Sequence, residues 1–327
     1  MSAQTFRPSP RFEAAKDLPS LYEMLDQVGM KNGWAKPTPS MYGEPKAKFV
    51  PAHWRFDQAR AALHAAGSLV ATEWAERRNL IMANPIEGND FPTVNSLVAA
   101  YQMVKGGETA RSHRHTPNAM RLVLEAASET YTIVEGRKIP MCPGDLLLTP
   151  SGQYHGHSNE SNSEAYWIDI LDVPSVHLLG PMFFEIHPEV TPEGAGTDEA
   201  SAMRIAFAAY RPALAACAPV LPGIRTLELA PDAIATFDRV AVQLDAGARW
   251  DVQKSTASEI WVAVEGSGVS HVGADEFAWA RGDIVAVPFW TESSHSSSAG
   301  AVLVRMSDRP MLSKLGWLRT QAAKFQS

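Results

Sequence analysis

Two histidines separated by one residue, His113 and His115, stand in the segment ARSHRHTPNAMRLVLE, whose second half has the pattern of a buried strand. In a strand, residues i and i+2 point to the same face, so both imidazoles enter one space. Two neutral imidazoles that converge in this way suit a divalent metal ion. The pair alone is equally compatible with two exposed histidines on an edge strand.

A second pair with the same spacing, His155 and His157, follows in the segment PGDLLLTPSGQYHGHSNE. Four of the ten histidines therefore fall between residues 113 and 157. Hairpins of a small barrel can bring segments about 40 residues apart together on its inner wall. We therefore expect one histidine of the second pair to complete a three-histidine face on a metal.

The elements that must hold these side chains are short strands. From about residue 79, apolar runs such as VNSLVAAYQMV, AMRLVLEA and EAYWIDILD alternate with Gly, Pro and Asn, a pattern typical of antiparallel barrels or sandwiches. The pattern stops near residue 174 and returns as VAVQLDAG, EIWVAVEGSGVSHV and AVLVRMSD. GDLLLTP at 144–150 and GDIVAVP at 282–288 match in register, which indicates a tandem duplication of one β-domain.

Only the first repeat carries the metal-ligating pattern. In the second repeat, Gln253, Ser255 and Ser293 occupy the corresponding places, and His295 has no partner at ligand spacing. Helical patterns cover 11–30, 53–78 and the alanine-rich 198–220. The expected organisation is an N-terminal helical and extended arm (1–75), a metal-binding domain (76–174), a helical linker (175–225), a second domain without metal ligands (226–310) and a C-terminal tail (311–327).

Composition excludes several classes of protein. With 45% apolar and 20% charged residues, the chain of 327 residues is globular, and its net charge of −7 gives no basic excess for nucleic acid. No window approaches the roughly 18 apolar residues of a membrane span, and the first thirty residues contain no signal-peptide core. Cys142 and Cys217 are too few for a disulfide framework, so we expect a cytoplasmic protein.

The two histidine segments resemble the motifs of the cupin superfamily. The first motif is a glycine, five residues and His-x-His, here Gly107 followed by His113 and His115. The second motif has all its fixed positions at the required spacing: Gly144, Pro150, Gly152, His155 and Asn159. The resemblance assigns the third ligand position to His155. It implies a mainly β bicupin fold of two double-stranded β-helix (jelly-roll) barrels with N-terminal and linker helices.

One departure from the cupin pattern bears on the chemistry. Many cupins carry a glutamate as a fourth ligand four or five residues after the second histidine, where this chain has Ala119 and Met120. The resemblance then implies a three-histidine site with no protein anion on the metal. Such an open site suits a substrate that chelates as an anion, together with O₂.

Longer segments narrow the resemblance to the bicupin gentisate 1,2-dioxygenases and their relatives that act on salicylate and 1-hydroxy-2-naphthoate. The segments are ERRNLIMANP, GGETARSHRHTPNAMRLVLE, YTIVEG, MCPGDLLLTPSGQYHGHSN and WIDILDVP. Members of that family use Fe(II) and O₂ to open an aromatic ring between the carbons that bear the carboxylate and the hydroxyl group. The resemblance implies iron ligands His113, His115 and His155, catalytic residues His157, Asp169 and Arg121, and substrate-binding residues Arg121, Gln102 and Arg78, with Arg77 as the alternative to Arg78.

Two of these roles carry geometric expectations. Asp169 is expected to stand behind His157 and fix its tautomer. Arg121 follows His113 by eight residues, so parity places it on the same strand face if the strand is regular.

We therefore expect an Fe(II)-dependent ring-cleaving dioxygenase of a 2-hydroxybenzoate, with gentisate, converted to maleylpyruvate, as the first choice. Val98, Tyr154 and Gly156 depart from the family pattern, so salicylate, a substituted salicylate and 1-hydroxy-2-naphthoate are alternative substrates. A second alternative is a non-catalytic metal-binding cupin that binds a small acid. The expected partners are a small aromatic acid, O₂ and further copies of the chain in a homotetramer.

Overall fold

The computed structural model describes residues 10–36, 38–71, 77–188 and 196–321. The chain divides into two compact units, residues 1–46 and 47–327. In the first unit, a 3-10 turn (Phe12–Ala14) and helix α1 (Leu18–Gln27) lie within the predicted helical region 11–30. A capping box begins α1: the Ser20 backbone N–H donates to the Asp17 carboxylate (2.9 Å), and the Asp17 N–H donates to the Ser20 hydroxyl (3.2 Å).

The described part of the second unit is built mainly from strands. Its helices are α2 (Phe56–Leu69), α3 (Val173–Leu179), α4 (Phe207–Ala216) and α5 (Arg309–Lys314). The strands up to the middle of the chain are β1 (Ala52–Trp54), β2 (Arg78–Ile81), β3 (Val98–Val104), β4 (Thr109–His115), β5 (Ala119–Glu125), β6 (Thr130–Val134), β7 (Arg137–Pro140), β8 (Leu146–Thr149), β9 (His155–Asn159), β10 (Ala165–Leu171), β11 (Phe184–Ile186) and β12 (Arg204–Ile205). The remaining strands are β13 (Ile224–Glu228), β14 (Asp238–Leu244), β15 (Arg249–Val252), β16 (Glu259–Val272), β17 (Asp275–Ala280), β18 (Ile284–Val287), β19 (Ser293–Ser296) and β20 (Ala301–Ser307).

The strands β2 to β12 form two sheets, called here the N-terminal barrel. One sheet has the order β12-β8-β5-β10-β3-β2, and the other has the order β11-β4-β9-β6-β7. Apolar side chains of both sheets meet in one cluster, with Val123 and Trp167 from the first sheet and Val134 and Ile139 from the second. Within the described ranges, no helix is long and apolar enough to cross a bilayer.

The strands β13 to β20, together with β1, form the C-terminal barrel. Its strand order β1-β18-β16-β20-β14-β13 repeats the order of the six-stranded sheet position by position. The 14-residue strand β16 continues past this sheet and pairs with β17 and β19 as well. The predicted mainly β fold with two barrels is confirmed, and the duplicated sequence pattern corresponds to a duplicated strand order.

The two barrels exchange their leading segments. β1 precedes the N-terminal barrel in the chain but pairs with β18, whereas β12 precedes the C-terminal barrel but pairs with β8. A Gly-Asp pair, Gly144-Asp145 or Gly282-Asp283, lies at the corresponding place in each barrel. The aspartate of each pair accepts a hydrogen bond from the first residue of the helix that follows the exchanged strand. Asp283 accepts the backbone N–H of Phe56, and Asp145 accepts that of Phe207, each at 2.8 Å. A carboxylate at these positions stabilises the beginning of α2 and of α4.

The glycine of each Gly-Asp pair is required for this exchange. Gly144 and Gly282 both have φ +89°, where a side chain is strained. A Cβ would also lie 2.6 Å from Phe207 Cγ at Gly144 and 2.7 Å from Phe56 Cδ1 at Gly282. The phenylalanine rings therefore pack directly on the glycine backbones.

Alternation along β5 shows how the sequence divides its side chains between two environments. Met120, Leu122 and Leu124 join a large core that also contains apolar side chains of β16 and β20. Arg121 and Val123 point to the opposite face, into the N-terminal barrel, because successive side chains of a strand alternate. One face of the sheet β12-β8-β5-β10-β3-β2 thus packs against one face of the strands β1-β18-β16-β20-β14-β13. The opposite face of each lines the interior of its barrel.

Three expectations from the sequence need correction or restriction. The connection 175–225 is not wholly helical, since it contains β11 and β12 besides its helices. Residues 72–76 of the predicted helix 53–78 lie outside the described residues, and α2 ends at Leu69. His113 and Arg121 lie on different strands, β4 and β5, which belong to different sheets.

A buried aspartate at the start of α5 links the barrels. Asp308 accepts a hydrogen bond from the Ser258 backbone N–H (2.9 Å) and one from the hydroxyl of Ser96, which precedes β3. Burial raises the pKa of Asp308 to about 6 from an ordinary value of 3.8. The folded protein therefore binds a proton on the Asp308 carboxyl more tightly than the unfolded chain does. The stabilisation from this protonation is fully present below about pH 4 and is lost as the pH rises through 6.

The change Asp308→Asn should remove this pH dependence, because an amide can keep both hydrogen bonds without a charge. Between pH 4 and pH 7, we expect the free energy of unfolding of the variant to increase relative to that of the wild type by up to roughly 3 kcal/mol. Denaturant titrations at several pH values measure the difference. Parallel stability curves for the two proteins would contradict the assignment.

Candidate active site

The three predicted metal ligands converge inside the N-terminal barrel. His113 and His115 lie on β4, and His155 lies opposite His113 in the register of β9. One ligand atom of each imidazole lies within 4.8 Å of the others. Gly156 permits this approach, because a Cβ there would lie 2.9 Å from the Ala110 carbonyl oxygen of β4.

Backbone carbonyls orient all three imidazoles. The Nδ1 atom of His113 lies 3.3 Å from the Arg111 oxygen, that of His115 lies 2.8 Å from the Pro117 oxygen, and that of His155 lies 3.0 Å from the Gln153 oxygen. A carbonyl can only accept, so each Nδ1 carries the proton and each Nε2 carries a lone pair. This set of three lone pairs fits a divalent metal, and the buried Nε2 of His155 has no hydrogen-bond partner among the described residues.

The electrostatics keep these imidazoles neutral. Burial, with the charge of Arg77 as the next cause, lowers the pKa of His113 to about 3. Burial also lowers the pKa of His115 and, further, that of His155. The side chain at 119 is a fully buried alanine, so β5 offers no carboxylate there. Neutral imidazoles are the form that binds a metal.

A buried polar group stands beside the triad on the six-stranded sheet. Arg121 Nε lies 3.1 Å from Asp169 Oδ1, although the N–H is not aligned on that oxygen. Gln102 donates from Nε2 to Asp169 Oδ2 (2.8 Å), and its Oε1 accepts from Arg77 Nε (2.6 Å). Arg121, Asp169 and Gln102 are nearly inaccessible to solvent. The predicted residues Arg121, Asp169 and Gln102 therefore form one connected group.

His157 is brought to the same interior, but with a different partner from the one expected. Its Nδ1 lies 3.3 Å from the Thr132 hydroxyl, and its ring lies 4.7 Å from that of Trp167. The oxygens of Asp169 are directed at Arg121 and Gln102 instead. The expected support of His157 by Asp169 is thus corrected: Thr132 stands behind the imidazole.

The structure separates the two adjacent arginines. The Arg78 guanidinium is buried and engaged by the Glu108 carboxylate and the Val70 carbonyl oxygen, so it is held away from the triad. Arg77, which bonds to Gln102, is among the causes that lower the pKa of His113 and of His157. Among this pair, Arg77 contributes the positive charge near the site.

Two contacts at the site were not expected from the sequence. Phe184 of β11 stacks on the His113 ring with centroids 5.1 Å apart, and its strand pairs with β4. Thr132 lies in the segment YTIVEG, which carries part of the family resemblance but gives this residue no role. The pairing of β11 with β4 and of β6 with β9 brings the two residues to the histidines.

The corresponding interior of the C-terminal barrel is filled differently. The positions of His115 and His155 are taken by Ser255 and Ser293. Glu259 occupies the place of Ala119, and Arg305 and Arg309 approach it at 3.7 and 3.8 Å. Arginine charges near a carboxylate thus occupy a region that has no histidine cluster in the described residues.

Comparison with known proteins assigns the family. Residues 100–171, which include all three histidines, match the family Cupin_2 (Cupin domain). A gentisate 1,2-dioxygenase from Streptomyces sp is 31% identical over 353 residues, which cover 95% of this chain and 97% of the relative. The chain belongs to the gentisate 1,2-dioxygenase family.

Other members of the gentisate 1,2-dioxygenase family are similar over nearly the whole chain. A 5-aminosalicylate 1,2-dioxygenase from Comamonas sp is 29% identical over 94% of this chain and 90% of the relative. A crystal structure of a salicylate 1,2-dioxygenase variant from Pseudoaminobacter salicylatoxidans in complex with gentisate matches with a TM-score of 0.87, at 25% identity and 96% coverage of both chains. The expected resemblance and the expected enzyme class, a ring-cleaving dioxygenase, are confirmed.

We expect one divalent metal per chain in this member of the gentisate 1,2-dioxygenase family. His155→Ala should lose most of the metal, since it removes one of three ligands. His295→Ala, which removes a buried histidine of the C-terminal barrel, should leave the metal content unchanged. Elemental analysis of protein reconstituted with Fe(II) under argon measures both. Two equivalents of metal in the wild type would refute the single-site assignment.

Proposed function

We propose that the protein is an Fe(II)-dependent dioxygenase that opens the ring of a 2-hydroxybenzoate between the carboxylate-bearing and hydroxyl-bearing carbons. Gentisate is the substrate that we favour, with maleylpyruvate as the product. The observation that carries the proposal is the three-histidine cluster beside Arg121 and Arg77, in a chain of the ring-cleaving dioxygenase family. When bound, Fe(II) would supply electrons to O₂ and positive charge to the substrate oxygens.

Charge balance supports an anionic substrate. The triad contributes no anion, and the nearby charges are Arg121, Arg77 and Asp169. One carboxylate against two guanidinium groups leaves a positive excess, to which the metal adds. We propose that Arg121 and Arg77 face the carboxylate of the aromatic acid, and that Gln102 holds Arg77 and Asp169 in place. Arg78 is not part of this proposal.

His157 is proposed as the group that meets the phenolic hydroxyl. It is fully buried, lies two residues from His155, and its Nε2 has no hydrogen-bond partner in the described part of the chain. Burial, followed by the charges of Arg121 and Arg77, holds the pKa of His157 well below its usual range, so the free imidazole is neutral. A neutral imidazole can accept the phenolic proton of a bound 2-hydroxybenzoate.

The identity of the ring remains a choice among related acids. Relatives are named for 5-aminosalicylate, gentisate and salicylate, and the sequence departs from the family pattern at Val98, Tyr154 and Gly156. An O₂-uptake assay would rank these acids by kcat/KM. The panel consists of gentisate, 5-aminosalicylate, salicylate, halogenated salicylates and 1-hydroxy-2-naphthoate. Binding of these acids without O₂ uptake by any of them would favour the alternative of a non-catalytic metal-binding cupin.

We further propose a homotetramer in the cytoplasm. Support for self-association comes from an exposed apolar stretch of the N-terminal barrel, with Leu178, Leu179 and Phe183 more than two-thirds exposed. Both cysteines, Cys142 and Cys217, are free, as is usual in a reducing compartment. Sedimentation equilibrium measures the oligomeric state.

The pair Arg121→Gln with Asp169→Asn tests the carboxylate partner without leaving a single charge buried. We expect kcat/KM for gentisate to fall on the order of 10-fold to 100-fold, because a charge-assisted hydrogen bond is lost. A carboxylate-free analogue such as hydroquinone should lose much less. The control is Arg305→Gln with Asp238→Asn, which removes a partly buried ion pair (2.8 Å) from the C-terminal barrel. Equal losses for both ligands would assign Arg121 a structural role.

His157→Ala should keep the metal while turnover falls by about 100-fold or more, as for a general acid–base group. Metal content and steady-state O₂ uptake with gentisate measure the two effects. His295→Ala serves as the control. Loss of metal from the His157 variant, with metal retained in His155→Ala, would reverse the ligand assignment within the segment YHGH.

A further inference from the structure

Both barrels keep a histidine two residues after the third ligand position, although only one barrel has a metal triad among its described residues. His157 lies on β9 and His295 on β19, and both are fully buried. Each Nδ1 lies beside a hydroxyl, 3.3 Å from Thr132 for His157 and 2.7 Å from Ser270 for His295. Within the described chain neither Nε2 has a hydrogen-bond partner. The contacts of the two hydroxyls decide where the imidazole proton lies in each site.

Thr132 has a second neighbour that can only accept. Its Oγ1 lies 3.4 Å from Met141 Sδ, a thioether with no hydrogen to give. If the hydroxyl donates to that sulfur, its lone pairs accept the Nδ1–H of His157, and only a lone pair remains at Nε2. If the hydroxyl donates to Nδ1 instead, an N–H remains buried at Nε2. A buried N–H without an acceptor is the rarer and more costly case.

Ser270 has the opposite surroundings. Its Oγ accepts a hydrogen bond from Trp279 Nε1 at 2.9 Å, and an indole N–H can only donate. If His295 also donated to Ser270, the hydroxyl hydrogen would be left without an acceptor among the described residues. Either arrangement leaves one buried hydrogen without an acceptor, that of the hydroxyl or that of Nε2. Donation from the hydroxyl to His295 Nδ1 leaves no other group unpaired, whereas the opposite arrangement also leaves the Nε2 lone pair without a donor among the described residues. The proton of the imidazole therefore lies on Nε2.

We propose that the two barrels hold their corresponding histidines in opposite tautomers, and that Thr132, backed by Met141, is a positioning residue that presents His157 Nε2 as a hydrogen-bond acceptor. The group that this acceptor would receive is the hydroxyl of a bound phenol. The tautomers themselves follow from contacts of the protein alone, and only the identity of the phenol rests on the proposed function.

Nitrogen-15 NMR of metal-free protein labelled at histidine tests the tautomers directly, because protonated and bare ring nitrogens have well-separated shifts. His157→Ala and His295→Ala assign the signals. We expect the proton on Nδ1 in His157 and on Nε2 in His295. Thr132→Val, which keeps the shape but removes the hydroxyl, should move the His157 proton toward Nε2, whereas Thr132→Ser should retain the wild-type signal. Ser270→Ala should alter the His295 signal alone.

Kinetics of the iron-loaded protein provide a second readout. Thr132→Val should lower kcat for the phenolic acid about 10-fold or more, with metal content unchanged, and Thr132→Ser should restore most of it. Ser270→Ala is the matched control and should keep wild-type kcat. The same tautomer in both wild-type histidines, or an Nδ1 proton that persists in Thr132→Val, overturns the proposal. The expected spectra in a protein that oxidises no hydroxybenzoate would instead refute the proposed function and leave the tautomers standing.

Discussion

The structure depends on the hydrogen bond that each Gly-Asp corner makes to a helix from the other half of the chain. Asp283 receives α2, and Asp145 receives α4, with a phenylalanine ring packed on the neighbouring glycine in both cases. A buried carboxylate is costly unless it is fully hydrogen-bonded, so the corner and the helix require each other. The exchange also brings β1 and β12 to the edges of sheets that would otherwise end one strand earlier. The site-bearing barrel is thereby completed by residues from both repeats.

The chemistry of the site follows from what the interior lacks as much as from what it contains. An alanine stands where a carboxylate would add a negative charge to the metal, and three carbonyl-oriented imidazoles bring none. Burial, with the nearby guanidinium charges as a further cause, holds the histidines neutral, and the positive charge favours anionic oxygens of a ligand. In the C-terminal barrel a carboxylate, Glu259, stands in the place of the alanine, and two arginines approach it. One frame thus supports a metal site in one copy and an internal charge network in the other.

Much of this arrangement could be predicted from the sequence, and the remainder has an identifiable physical reason. The repeat, the strand character and the three ligands are local patterns of two to seven residues, and register preserves them in the fold. The partner of His157 could not be predicted, because nothing in the segment YTIVEG shows that Thr132 faces a histidine 25 residues later. The local sequence also could not decide whether Arg77 or Arg78 lies near the site. Adjacent residues of a strand point to opposite faces, and the ion pair with Glu108 shows that Arg78 points away from the histidines. The exchange of β1 and β12 depends on contacts across the whole chain, which no local pattern encodes.

The exchanged arms impose an order on synthesis of the protein. Phe56 leaves the ribosome 227 residues before the Asp283 that receives its backbone N–H. During that interval the beginning of α2 and the edge of β1 lack the aspartate and the strand that they contact in the folded protein. Contacts between residues so distant in sequence form slowly. A nascent chain that stalls before residue 283 therefore exposes the unpaired edge of β1 near its beginning. The C-terminal barrel, which has no metal triad in the part described, thus supplies the sheet edge and the carboxylate that fix the first strand and helix of the unit.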